Sequence, residues 1–372
     1  MKKFVGEKLS ENIDSIAKYD FDNEKVFGSA YLVCKGGKEL VKCYGTTSLN
    51  SNQPITENTL FRLASMTKPI TAVATLILVD RGLISLDDSV DKYLPEFKNI
   101  KLDDGKDNTF APKKLPTIRN MLSHTSGIGS NPEKNEKMTL KDKQTIDSSI
   151  AYHINAGLFF EPNTAQRYSS TGAFDGLAKI IELVTKTDYL TFLKKEIFEP
   201  CGMVDTTFTP NADQQKRLIA MHVKVDGKKA VYEMPKGCIF EDFPCEHYLG
   251  GAGLVSTLRD YANFTKMLLN KGQTDKGRII SEKVFNELCT AQVSPEIMPG
   301  DTQWGCGVRV ITDDSHPLLP KGAYGWSGAY GSHFWIDNEN DLYAVFMKNC
   351  KFDGGAYNES SRLFEKAVYV CE

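Results

Sequence analysis

Within "FRLASMTKPI" (residues 61–70), Ser65 and Lys68 stand three positions apart where an apolar run begins. A serine hydroxyl is a poor nucleophile near neutral pH and needs an adjacent base. Lysine can be that base only when burial or neighbouring positive charge favours its neutral form. Positions i and i+3 share one helix face, so such a pair can meet. The chemistry this spacing permits is attack on a carbonyl through a covalent acyl intermediate.

The same S-x-x-K spacing also occurs at Ser15/Lys18 and Ser89/Lys92. Composition alone would produce roughly one or two such pairs, so context has to choose. Lys92 sits among Asp87, Asp88 and Asp91, and Lys18 lies near Asp20 on an N-terminal helix. Carboxylates there keep both amines charged. Lys68 has no carboxylate within three residues and enters the run Ile70, Val73, Ala74, Leu76 and Ile77. Pro69 is tolerated only in a first helical turn, which sets the helix start near Ser65. Free N–H groups and the helix dipole at that start could stabilise an oxyanion. Spacing and context also fit a plain N-cap serine beside a snorkelling lysine.

The elements that must position this pair are legible in outline. Residues 4–18 read as a surface helix, and "VFGSAYLVCKGGKELVKCYG" as a hairpin turning at Gly36-Gly37. Ser65 to Arg81 reads as a core helix closed by Gly82, with further helices at 142–155, 172–186 and 188–198. "STLRDYANFTKMLLNKG" is amphipathic, with Thr257 and Asp260 placed for a capping box. Strand-like runs follow at "WGCGVRVIT", "GSHFWID" and "DLYAVFMK", the last two around a turn at Asn338-Glu339-Asn340, and a last helix covers 358–370. The predicted fold class is α/β (α+β): an antiparallel sheet flanked by helices and built from both termini. Its expected segments are 1–85 and 251–372, with 86–250 a mainly helical inserted domain and the site at their interface.

Composition narrows the function classes. A net charge of -3 over 372 residues gives no reason to expect nucleic acid or an anionic membrane as partner. The longest apolar stretch, Ile70 to Val79, is too short to span a bilayer. "MKKFVGEKLSENIDSIAKYD" lacks the apolar core of a signal peptide, so a cytoplasmic location is expected. Nine cysteines without C-x-x-C read as reduced thiols, and six histidines form no zinc pattern. No metal or organic cofactor is expected.

Six ordered segments carry a resemblance: "FRLASMTK", "MLSHTSG", "FEPNTAQRYSS", "EIFEPCGMVDTTF", "GGAGLVSTLRDYANFTKMLLNKG" and "YGWSGAYGSHFWID". In this order the chain resembles the serine β-lactamase and penicillin-binding-protein superfamily, in the style of class C β-lactamases, serine DD-peptidases and family VIII carboxylesterases. The resemblance implies that Ser65 is acylated, that Lys68 takes its proton, and that Tyr168 shuttles it to the leaving group and activates water. It places Trp326-Ser327-Gly328 on a strand edging the site, with the backbone N–H groups of Ser65 and Ala329 as oxyanion hole. Ser170, Trp326, Ser327 and Gly328 become substrate-binding candidates. His124 invites a triad reading, but its counterpart belongs to a structural turn. Gly250, Gly251 and Gly253 read as a tight backbone passage rather than a phosphate loop.

Three departures bear on substrate. Trp326 stands where the relatives carry a cation for the substrate carboxylate. Ser170 replaces the asparagine of tyrosine-x-asparagine, and Asn163 a glycine. The first two point toward uncharged substrates with an activated leaving group. The expected function is therefore a serine hydrolase cleaving small carboxylic esters. An amidase or DD-peptidase on D-amino-acid derivatives, a weak β-lactamase, and a catalytically idle binding or scaffold relative are the competing readings. Loop residues 222–249, with Tyr232, Phe240, Phe243 and Tyr248, could line the pocket or simply pack.

Overall fold

The computed structural model describes residues 6–103, 109–233 and 243–369. Its spine is an antiparallel sheet of seven strands: β1 (Gly28–Lys35), β2 (Lys38–Gly45), β3 (Thr302–Trp304), β4 (Arg309–Ile311), β5 (Tyr324–Ser327), β6 (His333–Asp337) and β7 (Leu342–Met347). Their order is β3-β4-β5-β6-β7-β1-β2, so strands from the two ends of the chain pair directly, with Leu32 opposite Val345. This is the sheet expected from both termini. The β1–β2 hairpin turns at Gly36 and Gly37, whose φ values of 59° and 74° suit a turn that matches strand twist.

Both faces of the central strands are covered, which is why they read as nearly continuous apolar runs. Side chains alternate with period two. Tyr31, Val33, Trp335, Ala344 and Phe346 face helices α1 (Gly6–Asp22) and, at the other end of the chain, Glu359–Tyr369. Leu32, Phe334, Ile336, Val345 and Met347 face the main apolar cluster of the remaining helices.

Helix α2 (Thr67–Asp80) runs through that cluster, with twelve of its fourteen residues buried. Its apolar residues occupy every side, so it can be covered all round. Pro69 is its third residue, and Gly82 follows its end at φ 68°, as the sequence implies. Helix α2 packs against α4 (Gly172–Thr185), the helix Glu282–Cys289 and, within a run over 189–201, a wide π turn at Lys194–Phe198, while α3 (Ile146–Ala156) packs on α4 and α5 (Leu258–Leu269) lies on β6 and β7. We number the C-terminal helix Glu359–Tyr369 α6.

Two local expectations are corrected. "WGCGVRVIT" is not one strand: Trp304 pairs with Arg309 across a turn in which Gly307 has φ 72° and Gly305 N–H bonds Val308 O. The capping box at α5 is half made. Thr257 Oγ1 accepts from Asp260 N–H at 3.0 Å, but the Asp260 carboxylate instead accepts from Asp205 N–H and the Thr206 hydroxyl. It ties down a neighbouring turn rather than its own N-cap. The seven described cysteines are all free thiols, as expected.

Candidate active site

Ser65 follows a short strand, Leu60–Arg62, which pairs with Val255–Thr257. Asn349 grips the Arg62 backbone from the end of β7, accepting its N–H and donating to its carbonyl. The chain then turns sharply through Ala64, a non-glycine residue at φ 46°. Such a conformation costs about 1–3 kcal/mol and persists only when its surroundings dictate it. They do: Leu63 N–H bonds Leu254 O, Thr67 Oγ1 accepts from Leu254 N–H, and the Tyr261 hydroxyl donates to Met66 O. Within the turn itself, Met66 N–H bonds Leu63 O at 3.1 Å. Ser65, one residue earlier, is half-buried and lines a cleft.

Lys68, on the second position of α2, is fully buried. Its amine donates to Ser170 O at 2.6 Å and Gly251 O at 2.9 Å, and sits 4.8 Å from the centre of the Tyr168 ring. The rival pairs behave as surface residues: Lys18 reaches Asp22 at 2.6 Å and Lys92 reaches Asp88 at 2.9 Å. The Gly250–Gly251 passage beside Lys68 is held by Asp175, which accepts from Gly250 N–H and the Ser149 hydroxyl and lies 3.2 Å from His247 Nε2. Burial would raise the Asp175 carboxyl, but the His247 charge and hydrogen bond hold it below its usual range. Gly251 admits no side chain, since a Cβ would lie 2.7 Å from Ser170 O and 3.1 Å from the Lys68 amine.

Tyr168 stands between two rings. Trp326 Nε1 donates to its hydroxyl oxygen at 3.2 Å, and His124 packs on its ring with centroids 4.5 Å apart. His124 is buried; desolvation, then the Lys68 charge, pushes its pKa well below 6.5. Its Nδ1 accepts from Ser169 N–H at 3.1 Å, so the neutral ring carries its proton on Nε2. This is a positioned wall, in keeping with the structural reading of that turn. Asn163, at φ 63°, takes the left-handed conformation in place of glycine.

Ser65, Tyr168, Trp326, Ser327 and Ala329 line one cleft of about 710 Å³, a size suited to a small organic ligand. Lys68 lies beneath it. Gly328 closes on the Ser65 turn, where a Cβ would meet Leu63 O at 2.3 Å. Ser170 joins through its carbonyl to Lys68, while its side chain is exposed and away from the cleft lining.

With this geometry in place, comparison with known proteins is decisive: the family model described as Beta-lactamase matches residues 13–364. The chain belongs to the beta-lactamase family. An uncharacterised protein of Mycobacterium tuberculosis is 30% identical over 326 residues, covering 82% of this chain and 80% of that one. Esterase EstB of Burkholderia gladioli is 26% identical over 377 residues, covering 93% and 92%. Among solved structures, EstCE1, described as a hydrolase with promiscuous acyltransferase activity, superposes with TM-score 0.84 at 22% identity over 99% of this chain and all of that one. A family VIII carboxylesterase does so with TM-score 0.79 at 22% identity over 100% and 99%. These two likenesses establish the fold.

In this beta-lactamase-family protein, other cleft residues escaped the sequence reading. Trp304, Met298, Arg309, Ala356 and Tyr357 also line the cavity. Trp304 packs against His124, Tyr168 and Trp326. No local pattern marks these residues, since they come from two strands and two separate loops. Of the two readings left open for the 222–249 loop, the described rings follow packing. Tyr232 lies under the Lys351 amine and Tyr248 stacks on Phe208, while Phe243, like these two, is absent from the cleft lining; Phe240 lies outside the described residues. The aromatic walls come instead from Tyr168, Trp304, Trp326 and Tyr357.

Proposed function

We propose that this protein is a serine hydrolase that cleaves small carboxylic esters through an acyl-enzyme. The observation that carries the reading is the burial of the Lys68 amine, with two backbone carbonyls as partners and the Tyr168 ring against it. A neutral amine has two N–H bonds and one lone pair. Donating both N–H bonds to Ser170 and Gly251 leaves the lone pair free to accept a proton from the site.

The Ser65 oxygen attacks the ester carbonyl while its proton passes to Lys68. The tetrahedral oxyanion is held by the N–H groups of Ser65 and Ala329. Collapse breaks the bond to the alkoxy oxygen, which takes a proton through Tyr168 and leaves as alcohol. Water then adds to the acyl carbonyl, giving its proton to the same pair, and the acid departs with Ser65 restored. Trp326, an apolar wall with one donor, favours esters over carboxylate-bearing β-lactams at that position. Similarity to an esterase in sequence, and to esterases in fold, supports this choice.

The test is labelling by a fluorophosphonate and hydrolysis of p-nitrophenyl butanoate, run beside a D-amino-acid amide and nitrocefin. Labelling confined to Ser65, with ester turnover lost in Ser65→Ala, is expected. Folded wild-type protein that neither labels nor turns over any substrate would instead mark a binding relative.

A further inference from the structure

The two carbonyls that hold the Lys68 amine lie on loops that share one buried brace. Three polar groups of the Gly250–Gly251 passage are gripped: Gly250 N–H by Asp175 Oδ1 at 3.1 Å, Gly250 O by the Thr71 hydroxyl, and Gly251 O by Lys68 itself. Asp175 Oδ2 accepts from Ser149 of α3 and lies 3.2 Å from His247 Nε2. His247 is anchored in turn, with Nδ1 2.8 Å from Lys143 O. The Ser170 side of the cradle meets the same cluster. His153 of α3 places Nε2 3.5 Å from Thr171 Oγ1, and its ring stands where a Cβ on Gly172 would come within 2.7 Å. Asp175, Ser149, His153 and His247 are each at most 1% exposed.

The protons of this cluster follow from donor and acceptor capacity. A carbonyl only accepts, so His247 Nδ1 carries a hydrogen. Its Nε2 then faces a carboxyl oxygen, and two lone pairs at 3.2 Å repel unless one proton lies between them. The pair therefore holds one proton, whether as imidazolium beside carboxylate or as imidazole beside carboxylic acid. Burial alone would lower the His247 pKa, but the Asp175 charge outweighs it and brings it above 6.5. Among the neighbouring titratable groups, His153 is kept below its ordinary pKa by burial, and the Tyr189 hydroxyl is pushed up by burial, so both are neutral. Beyond the two glycines lies the Lys68 amine of α2. Losing the shared proton leaves a buried carboxylate without a counter-charge, tied directly to Gly250 N–H.

We propose that His247 and Asp175 are positioning residues for Lys68: the proton they share fixes the Gly250–Gly251 passage, and with it the carbonyl that orients the amine. His153 braces the Ser170 loop from the other side. This rests on Lys68 being the base for Ser65. It goes beyond that reading by placing control of the base in a pair absent from the cleft lining. The brace is complete at low pH and is lost as pH rises and the shared proton leaves, so it also sets the alkaline edge of activity.

The experiment measures the rate of fluorophosphonate labelling at Ser65, with kcat and KM for p-nitrophenyl butanoate. His247→Asn keeps a donor for Lys143 O and withdraws the partner of Asp175. Labelling rate and kcat should fall by about 10²-fold, as for a misplaced catalytic group, with KM within about twofold. Adding Asp175→Asn supplies a neutral acceptor for Gly250 N–H that needs no counter-charge, so the double variant should recover about tenfold of that loss. A purely structural role for His247 would leave the double variant no faster than the single one. In the wild type, where no variant has to fold, ring ¹⁵N shifts of His247 should report loss of one proton above pH 6.5. The alkaline edge of the labelling rate should share that midpoint. Unchanged labelling in His247→Asn, a double variant no faster than the single, or an edge away from the His247 midpoint overturns the proposal. A folded wild type that never labels at Ser65 overturns the Ser65 reading and this one with it, whereas labelling indifferent to His247 overturns this one alone.

Discussion

The indole N–H of Trp326 donates to the hydroxyl oxygen of Tyr168 at 3.2 Å. Indole only donates, so Tyr168 accepts there and its own proton is directed elsewhere. Tyr168→Phe should lower kcat for ester hydrolysis by roughly 10²–10³, the usual range for a lost proton-transfer group, with little change in melting temperature. Trp326→Phe keeps the apolar wall and loses one donor, so kcat should fall by about tenfold. Steady-state kinetics on both variants decide this; a fully active Trp326→Phe would leave the hydrogen bond without a role.

Lys68 should fail to tolerate even its nearest chemical relative. Arginine carries the same charge but cannot give up its proton in a protein. Lys68→Arg should therefore be inactive, as should Lys68→Met. The methionine variant should also lose about 2 kcal/mol of stability, because the carbonyls of Ser170 and Gly251 are left unpaired. Urea unfolding and fluorophosphonate labelling read the two effects separately. An active Lys68→Arg would remove lysine from the proton path.

Acid should destabilise the fold partly through His222. This ring is stacked on Phe27 with centroids 4.4 Å apart, and neither nitrogen makes a well-formed hydrogen bond. Desolvation, followed by the Lys229 charge, lowers its pKa from 6.5 to about 4. The unfolded state thus binds a proton that the folded state refuses throughout that window. The stabilisation is complete above pH 6.5 and is lost as pH falls toward 4, by about 1.4 kcal/mol per pH unit. His222→Phe preserves the stacking and removes the proton site. It should flatten the stability–pH curve by that slope between pH 6 and 4.5, measured by denaturant midpoints.

Thr257→Ala should cost about 1 kcal/mol, as for other lost N-caps. Thr257 Oγ1 satisfies Asp260 N–H at the start of α5, and Tyr261 in the same first turn braces Met66 beside Ser65. Thermal unfolding checks the stability term. A shift below a few tenths of a kcal/mol would show that this helix start needs no cap.

How much of this was legible beforehand depended on range. The choice of Ser65/Lys68 over two rival pairs rested on carboxylates within a few residues, a local property, and the surface placement of Lys18 and Lys92 agrees with it. The glycine hairpin at Gly36-Gly37 and the all-round apolar α2 were equally local. The capping box failed because Asp260 had a competing partner in Asp205 and Thr206, fifty or more residues away in sequence. The strand read across 304–312 failed at the Gly305–Gly307 turn, where β3 and β4 double back on each other. For the aromatic loop the sequence left lining and packing open, because richness in rings says nothing of which surface they cover.

From its residues alone, the chain determined most elements and singled out the candidate pair: periodicity, turn glycines and neighbouring charge act within a few residues, and no distant segment had to be known. Only the tertiary structure decided what surrounds that pair. The Trp304 and Tyr357 walls, the Ser170 and Gly251 carbonyls on Lys68, and the Ser327–His333–Glu365 chain join segments far apart in the sequence. Burial and hydrogen-bond partners depend on which atoms share a volume, and that is settled when the sheet from both termini closes on the helices between them.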